Sequence, residues 1–119
     1  ILTAVSFATT SGGYAYEKQK RKIGDYATAA AAVLISKDRG VCTGASVAMT
    51  NLSDVPVYSE AASAALAGSS CDEDAIAASV GAALLDIDPG EDNRGPVEFK
   101  RHVAAVMITR AINRAWDRA

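Results

Sequence analysis

The segment from Gly13 to Val33 constrains the fold more than any other part of the chain. Its first part, residues 14–22, alternates between two faces, and one face carries two tyrosines and three lysines: Tyr14, Tyr16, Lys18, Lys20 and Lys22. A Gly24-Asp25-Tyr26 corner follows, where glycine permits a sharp bend. Residues 27–36 are then rich in alanine and valine without alternation, which is typical of a strand covered on both faces. This order predicts the rim of a binding site on a β-sheet.

Two neighbouring stretches are also predicted to be strands. Residues 2–8 form a short β-type run followed by a turn at 9–13. Residues 37–40 are a charged hairpin turn ending in glycine, and residues 41–50 alternate, with one face listed as Val41, Thr43, Ala45, Val47 and Met49. Composition alone also allows an alanine helix at 27–36, but the alternating partner favours a strand there.

Three helices are predicted after the strands. The first covers roughly 57–67 and is ended by Gly68. The second begins with a capping box from Ser70 to Glu73 and carries an apolar stripe: Ile76, Val80, Ala83, Leu84 and Ile87. The third begins at Pro96, runs to about Ala115 and is apolar nearly all round at its centre. Strands first and helices after predict an α+β fold, an antiparallel sheet with three helices packed on one face.

Size and charge exclude several classes of protein. The 119 residues suit one domain, 1–119, and a net charge of −2 argues against a general nucleic-acid binder. No apolar run approaches membrane-spanning length, and no secretory signal is visible. Because the chain begins at Ile1 in what reads as a strand in progress, we expect it to be part of a longer polypeptide.

The residues supply no catalytic apparatus. Cys42 and Cys71 make neither a disulfide framework nor a metal-binding spacing, so a structural role in a reduced cytosolic setting is expected. His102 is the only histidine and lacks partners for a metal site or a hydrolytic triad. No glycine-rich phosphate loop is present. Trp116 is either a core residue or an interface anchor.

Two features can carry binding. The basic run at 18–22 could bind phosphate, a nucleotide or an acidic partner, or it could be a solvated edge strand in which lysine discourages unwanted pairing. Tyr26 could lay its ring on a flat ligand while Asp25 orients a ligand donor. The alternative is a corner tyrosine that packs on its own sheet.

Residues 13–33 resemble the medium, FAD-binding subunit of aerobic carbon monoxide dehydrogenases, which belong to the molybdenum hydroxylase family. The similarity covers nearly the whole chain and continues through these segments: 45–52, 56–58, 60–62, 92–99, 106–107 and 110–111. The resemblance implies the C-terminal domain of that subunit, a three- to four-stranded antiparallel sheet packed on one face by three helices. The N-terminal FAD-binding regions, with the glycine-rich segments that hold the FAD pyrophosphate, are absent from this sequence.

The same resemblance implies a place in an oxidoreductase complex. A large subunit would oxidise substrate at molybdopterin cytosine dinucleotide, with copper in the carbon monoxide enzymes, and a small subunit would pass electrons through two [2Fe-2S] clusters. FAD in the medium subunit would deliver them to a quinone. The expected location is the cytoplasm, including the inner face of the membrane. This domain would line the flavin site and help subunit docking, and alone it would be inactive and bind FAD poorly or not at all.

The resemblance also assigns residues. The family's flavin-facing tyrosine, in its Gly-Asp-Tyr-Ala motif, falls on Tyr26, whose ring would lie against the isoalloxazine. Asp25 and Lys18 are weaker assignments, and a cation at Lys18 would shift the flavin potential. No catalytic residue or metal ligand is expected. The alternatives are the same domain of another molybdenum hydroxylase, acting on an N-heterocycle or aldehyde, and a non-catalytic interaction domain whose basic strand binds an acidic partner.

Overall fold

The structure is a computed structural model that describes residues 1–119. Its four strands are β1 (Gly13–Gln19), β2 (Ala29–Asp38), β3 (Val41–Thr50) and β4 (Val57–Ser59). Its three helices are α1 (Glu60–Leu66), α2 (Glu73–Leu85) and α3 (Val97–Arg118). The strands form one antiparallel sheet in the order β1-β2-β3-β4. The predicted α+β fold, a four-stranded antiparallel sheet with three helices, is therefore confirmed.

The helices cover one face of the sheet. The long helix α3 packs across β1 and β2, α1 packs on β3, and α2 contacts α1 and α3. On β2 the residues that face the helices are buried: Ala29, Ala31, Val33 and Ile35. On the opposite face Tyr14, Tyr16 and Leu34 remain exposed. Burial on both faces, as predicted for 27–36, holds only in the first part of β2, where Ala30 is also buried.

The β2–β3 hairpin has the predicted tight turn and an unpredicted bulge. Arg39 and Gly40 both have positive φ, 47° and 80°, which is the signature of a type I′ turn. Beyond the turn the register shifts, because Ser36 pairs with Gly44 whereas Lys37 pairs with Cys42. The one extra residue in β3 reverses the alternation, as a β-bulge does. Cys42 is therefore buried, and the prediction that Val41 shares a face with Val47 and Met49 is wrong.

Two predicted strand boundaries are also wrong. Residues 1–12 form no strand, and the apolar side chains there are exposed: Ile1, Leu2, Val5 and Phe7. The segment has no strand beside it to pair its backbone groups. At the other end, β1 stops at Gln19 rather than at residue 22, because the Thr28 N–H donates to the Gln19 carbonyl (2.8 Å) and closes a loop. Lys20 and Lys22 therefore lie outside the strand.

The helices begin later than predicted. Residues 57–59 pair with β3 as β4, and the side chain of Ser59 then caps α1 by accepting from the Ala62 N–H (3.1 Å). The N-cap of α2 is Asp72, which accepts from the Ala75 N–H (3.0 Å), so the predicted capping box at Ser70 is wrong. Ser70 instead donates to the Asp72 carboxylate. None of the helices is long and apolar enough to cross a membrane.

The two free cysteines are both buried, and the segments that carry them lie side by side. Cys42 exchanges backbone hydrogen bonds with Gly68 and Ser69, both of 2.8 Å, which brings Cys71 alongside β3. Burial raises the pKa of the Cys71 thiol, and the neighbouring Cys42 raises it further. Trp116 is partly buried against the core, with the Lys37 ammonium 4.4 Å from its ring centroid.

The close approach of α3 to β1 generates a stability prediction. A Cβ on Gly13 would overlap the backbone of α3 at Ala115 and Ala119, whereas a Cβ on Gly81, exposed within α2, would meet nothing within 4 Å. Gly13→Ala should lower the free energy of unfolding by about 1–3 kcal/mol. Gly81→Ala should raise it by about 0.5–1 kcal/mol, because alanine loses less backbone entropy in a helix. Urea denaturation measures both, and equal shifts would contradict the packing.

Burial of the thiols generates a reactivity prediction. A thiolate must reach the sulfur of a disulfide reagent to attack it, so the buried Cys42 and Cys71 should react at pH 8 only slowly in the native state and rapidly in urea. Thr43→Cys, exposed on the same strand, is the matched control and should react at once. Equally fast native reaction of all three thiols would show that the pair is accessible.

Candidate functional site

The corner that carries Tyr26 is a well-defined turn. It lies in the loop between β1 and β2, where the Asp25 N–H donates to the Lys22 carbonyl (3.2 Å). Gly24, at the third position of this turn, has a φ of 82°, the left-handed conformation that a type II turn requires there. A Cβ on Gly24 would meet no atom within 4 Å, so the requirement is conformational rather than steric. The predicted bend at Gly24 is confirmed.

Asp25 holds the corner together. Its Oδ2 accepts from the Arg21 Nε (3.1 Å), and its Oδ1 accepts from the Tyr26 N–H (2.9 Å) and the Arg94 Nη2 (3.4 Å). The hydrogen bond from Arg21 lowers the pKa of Asp25, with the Tyr26 amide and the two guanidinium charges acting in the same direction against partial burial. The carboxylate is therefore ionised at neutral pH and engaged by three protein donors. Its contact with a ligand stays a prediction.

Tyr26 presents its ring to solvent. The residue is 77% exposed, and its hydroxyl makes no hydrogen bond within the chain. The guanidinium carbon of Arg94 lies 5.8 Å from the ring centroid, within the range of a cation–π contact. The alternative in which the ring packs on its own sheet is not what the fold adopts. A flat aromatic surface with a cation beside it is available to a ligand or a second surface.

Lys18 lies at the same end of the β1–β2 pair. It is exposed on the sheet face of Tyr14 and Tyr16, and it pairs across the sheet with Ala30. The structure gives Lys18 no hydrogen bond and no ion pair. The loop closes at the next residue, Gln19, so this cation and the Tyr26 corner border the same edge of the sheet.

Arg94 is the residue of this site that the sequence did not assign. The fold pairs it with Asp25, 69 positions earlier. Its side chain is only 18% exposed, and its Nε is buried without a hydrogen-bond acceptor. No spacing rule connects residues so distant, although Arg94 does lie in one of the segments that carry the family resemblance.

The turn that presents Arg94 is firmly braced. Asp92 and Gly95 exchange backbone hydrogen bonds (3.1 and 3.4 Å), and the Asp92 Oδ1 accepts from the Arg94 N–H (2.8 Å). The buried Lys100 of α3 binds the same Asp92 oxygen (2.9 Å) and the Gly90 carbonyl (2.5 Å). The hydrogen bond from Lys100 lowers the pKa of Asp92, so this carboxylate is ionised at neutral pH.

The concave surfaces of the domain lie elsewhere. The largest groove, about 600 Å³, runs between α2 and α3, and none of the corner residues lines it. A second, of about 360 Å³, lies on the open face of the sheet between Tyr14, Tyr16 and Leu34. His102 is exposed on α3, and no group of His, Cys, Asp and Glu side chains is placed to hold a metal ion.

The exposed groups of the corner are of the kinds that contact ligands. It offers an aromatic ring, a partly buried guanidinium and a free lysine, but no nucleophile with an adjacent base. No cavity of the domain includes Tyr26. A ligand site that included this corner would need a second surface to complete it.

The chain is similar to medium chains of carbon monoxide dehydrogenases. The chain is 45% identical to the carbon monoxide dehydrogenase medium chain of Afipia carboxidovorans across its whole length, and 38% identical to that of Hydrogenophaga pseudoflava across 89% of it. It spans only 42% and 37% of these two relatives. The crystal structure of a Cu,Mo-CO dehydrogenase in its cyanide-inactivated form contains a chain that matches with a TM-score of 0.90 and 46% identity, over 94% of this chain and 39% of that one.

One family model matches residues 14–115, which contain nearly all of the strands and helices. The chain belongs to the family of CO dehydrogenase flavoprotein C-terminal domains.

Proposed function

We propose that this chain is the C-terminal domain of the medium, FAD-binding subunit of an aerobic carbon monoxide dehydrogenase, where it closes one side of the flavin site. The observation that carries the proposal is the exposed ring of Tyr26 on a corner that Asp25 and Arg94 hold in place. The residue is 77% exposed and its backbone is held by a hydrogen bond, so its ring can stack on a flat ligand.

The residues present fit the ring system of FAD and not its pyrophosphate. Tyr26 offers a flat apolar face, and Lys18 and Arg94 offer positive charge beside it. No glycine-rich loop of the chain offers the row of backbone N–H groups that a pyrophosphate needs. We therefore place the isoalloxazine against this domain and the rest of FAD in N-terminal regions of a longer subunit.

The roles of the chain's own residues follow from the corner. Tyr26 would cover one face of the isoalloxazine and exclude water from it. Lys18 and Arg94 would add positive charge, which favours uptake of electrons. Asp25 would hold the Tyr26 backbone rather than meet the ligand first, since three protein donors already engage it. When bound, FAD supplies electron transfer between iron–sulfur clusters and a quinone.

The remaining assignments extend to the assembled enzyme. The partners would be a large subunit with molybdopterin cytosine dinucleotide and copper, and a small subunit with two [2Fe-2S] clusters, in the cytoplasm or at the inner face of the membrane. The choice of carbon monoxide over an N-heterocycle or aldehyde is supported by the two relatives, both of which are carbon monoxide dehydrogenase medium chains.

Replacement of Tyr26 tests the flavin-facing role. In the full-length subunit, Tyr26→Ala should weaken FAD binding by about 3- to 10-fold, because an aromatic stacking contact is lost. Tyr26→Phe should bind nearly as the unchanged protein does, since the hydroxyl has no partner in the fold. Fluorescence titration with FAD measures all three affinities.

The matched control for this test is Tyr58→Ala. Tyr58 is 56% exposed on β4, on the far side of the sheet from the corner, and its removal should leave FAD affinity unchanged. If Tyr26→Ala and Tyr58→Ala had the same affinity as the unchanged subunit, the flavin-facing role would be wrong and the interaction-domain alternative would be favoured.

A further inference from the structure

We propose that Arg94 is the positioning residue for Tyr26 and the fixed cation of the flavin-facing surface. The inference rests on the proposed function above and adds a residue to it. Its basis is that Tyr26 lacks any side-chain hydrogen bond, so something other than its own hydroxyl must hold the ring. The two contacts available are its amide, bound by Asp25, and its ring, contacted by Arg94.

Of the two cations on Asp25, only Arg94 ties the corner to the rest of the fold. Arg21 belongs to the same loop as Asp25, and its side chain is 56% exposed, so this ion pair moves with the loop. Arg94 comes from the turn before α3, and its side chain is 18% exposed. Exposed pairs hold long side chains weakly, whereas a pair shielded from water restrains both partners.

The restraint on Arg94 can be followed back to the core. Lys100, buried in the first turns of α3, binds Asp92, and Asp92 in turn accepts from the Arg94 backbone. Arg94 then donates to the Asp25 Oδ1, and the same oxygen accepts from the Tyr26 amide. This series of charged contacts connects the helix layer to an otherwise solvent-exposed ring. Every hydrogen bond in the series has a charged donor or acceptor, and each bond polarises and so strengthens the next.

The charge balance at the corner is positive. Two guanidinium groups surround one carboxylate, which leaves one net positive charge beside the ring. Arg94 is not fully paired by the protein, because its Nε is buried without an acceptor. Lys18 is also positive, but its ammonium is free on a flexible stem. A fixed charge acts on a bound flavin more strongly than a mobile, hydrated one.

Arginine geometry distinguishes this role from simple charge. One guanidinium reaches Asp25 through Nη2 and Asn93 through Nη1 while it lies over the Tyr26 ring. An ammonium provides the charge without the planar fork, so a lysine would keep the electrostatic part of the role and lose the positioning part. The two parts can therefore be measured separately.

The experiment uses the full-length subunit with Arg94→Gln and Arg94→Lys. The first measurement is hydrogen exchange of the peptide covering residues 20–28 in the flavin-free subunit. Both variants should exchange about 3- to 10-fold faster there, since a hydrogen-bonded contact to the corner is lost.

The second measurement is the reduction potential of bound FAD, which should become more negative in Arg94→Gln and remain close to the original value in Arg94→Lys. Arg21→Gln is the matched control for exchange and should accelerate it less than Arg94→Gln does. Lys18→Gln is the matched control for the reduction potential and should shift it less than Arg94→Gln does.

Failure of this inference differs from failure of the proposed function. If Tyr26→Ala weakens FAD binding while Arg94→Gln leaves exchange and potential unchanged, Arg94 is not the positioning residue. If Tyr26→Ala has no effect on FAD affinity, the flavin-facing role is wrong, and so is the predicted effect of Arg94 on the reduction potential of FAD. If circular dichroism shows that Arg94→Gln is unfolded, hydrogen exchange of Arg94→Lys tests the positioning role instead. Unchanged exchange in a folded Arg94→Lys overturns the positioning role.

Discussion

The close packing of α3 on β1 and β2 is the interaction on which the rest of the structure depends. It is possible because the contact surface is built from glycine and small side chains, with Gly13 directly under the end of the helix. The buried residues of the helix include three alanines: Ala104, Ala111 and Ala115. Small residues on both sides let helix and sheet approach closely, and a dense interior tolerates little added volume.

That packing also decides where the two ends of α3 lie. At its C-terminal end, the Lys37 ammonium donates to the Trp116 carbonyl and Arg118 donates to the Tyr14 carbonyl, both at 2.8 Å. Near its N-terminal end, Arg101 donates to the Leu84 carbonyl (2.5 Å) at the end of α2. Cationic side chains thus satisfy carbonyl groups that helix ends and strand edges leave open. With α3 in this position, the turn before it brings Arg94 to Asp25.

Much of the architecture was predictable because it follows local patterns. The hairpin turn at 37–40 and the bend at Gly24 each depend on a few adjacent residues. The failures were of another kind. The strand predicted at 2–8 has the right composition but no neighbour, and the bulge in β3 depends on pairing with β2 rather than on the β3 sequence. Pairing between strands is a property of two segments, which periodicity within one cannot show.

The sequence alone determined that this chain is an α+β domain and that Tyr26 stands at a glycine corner. These conclusions needed only residue types, spacing and a family resemblance. The tertiary structure decided that the Tyr26 ring is exposed, that Asp25 is engaged by protein donors, and that Arg94 belongs beside them. The physical reason is distance along the chain: an ion pair across 69 residues exists only after α3 has packed on the sheet.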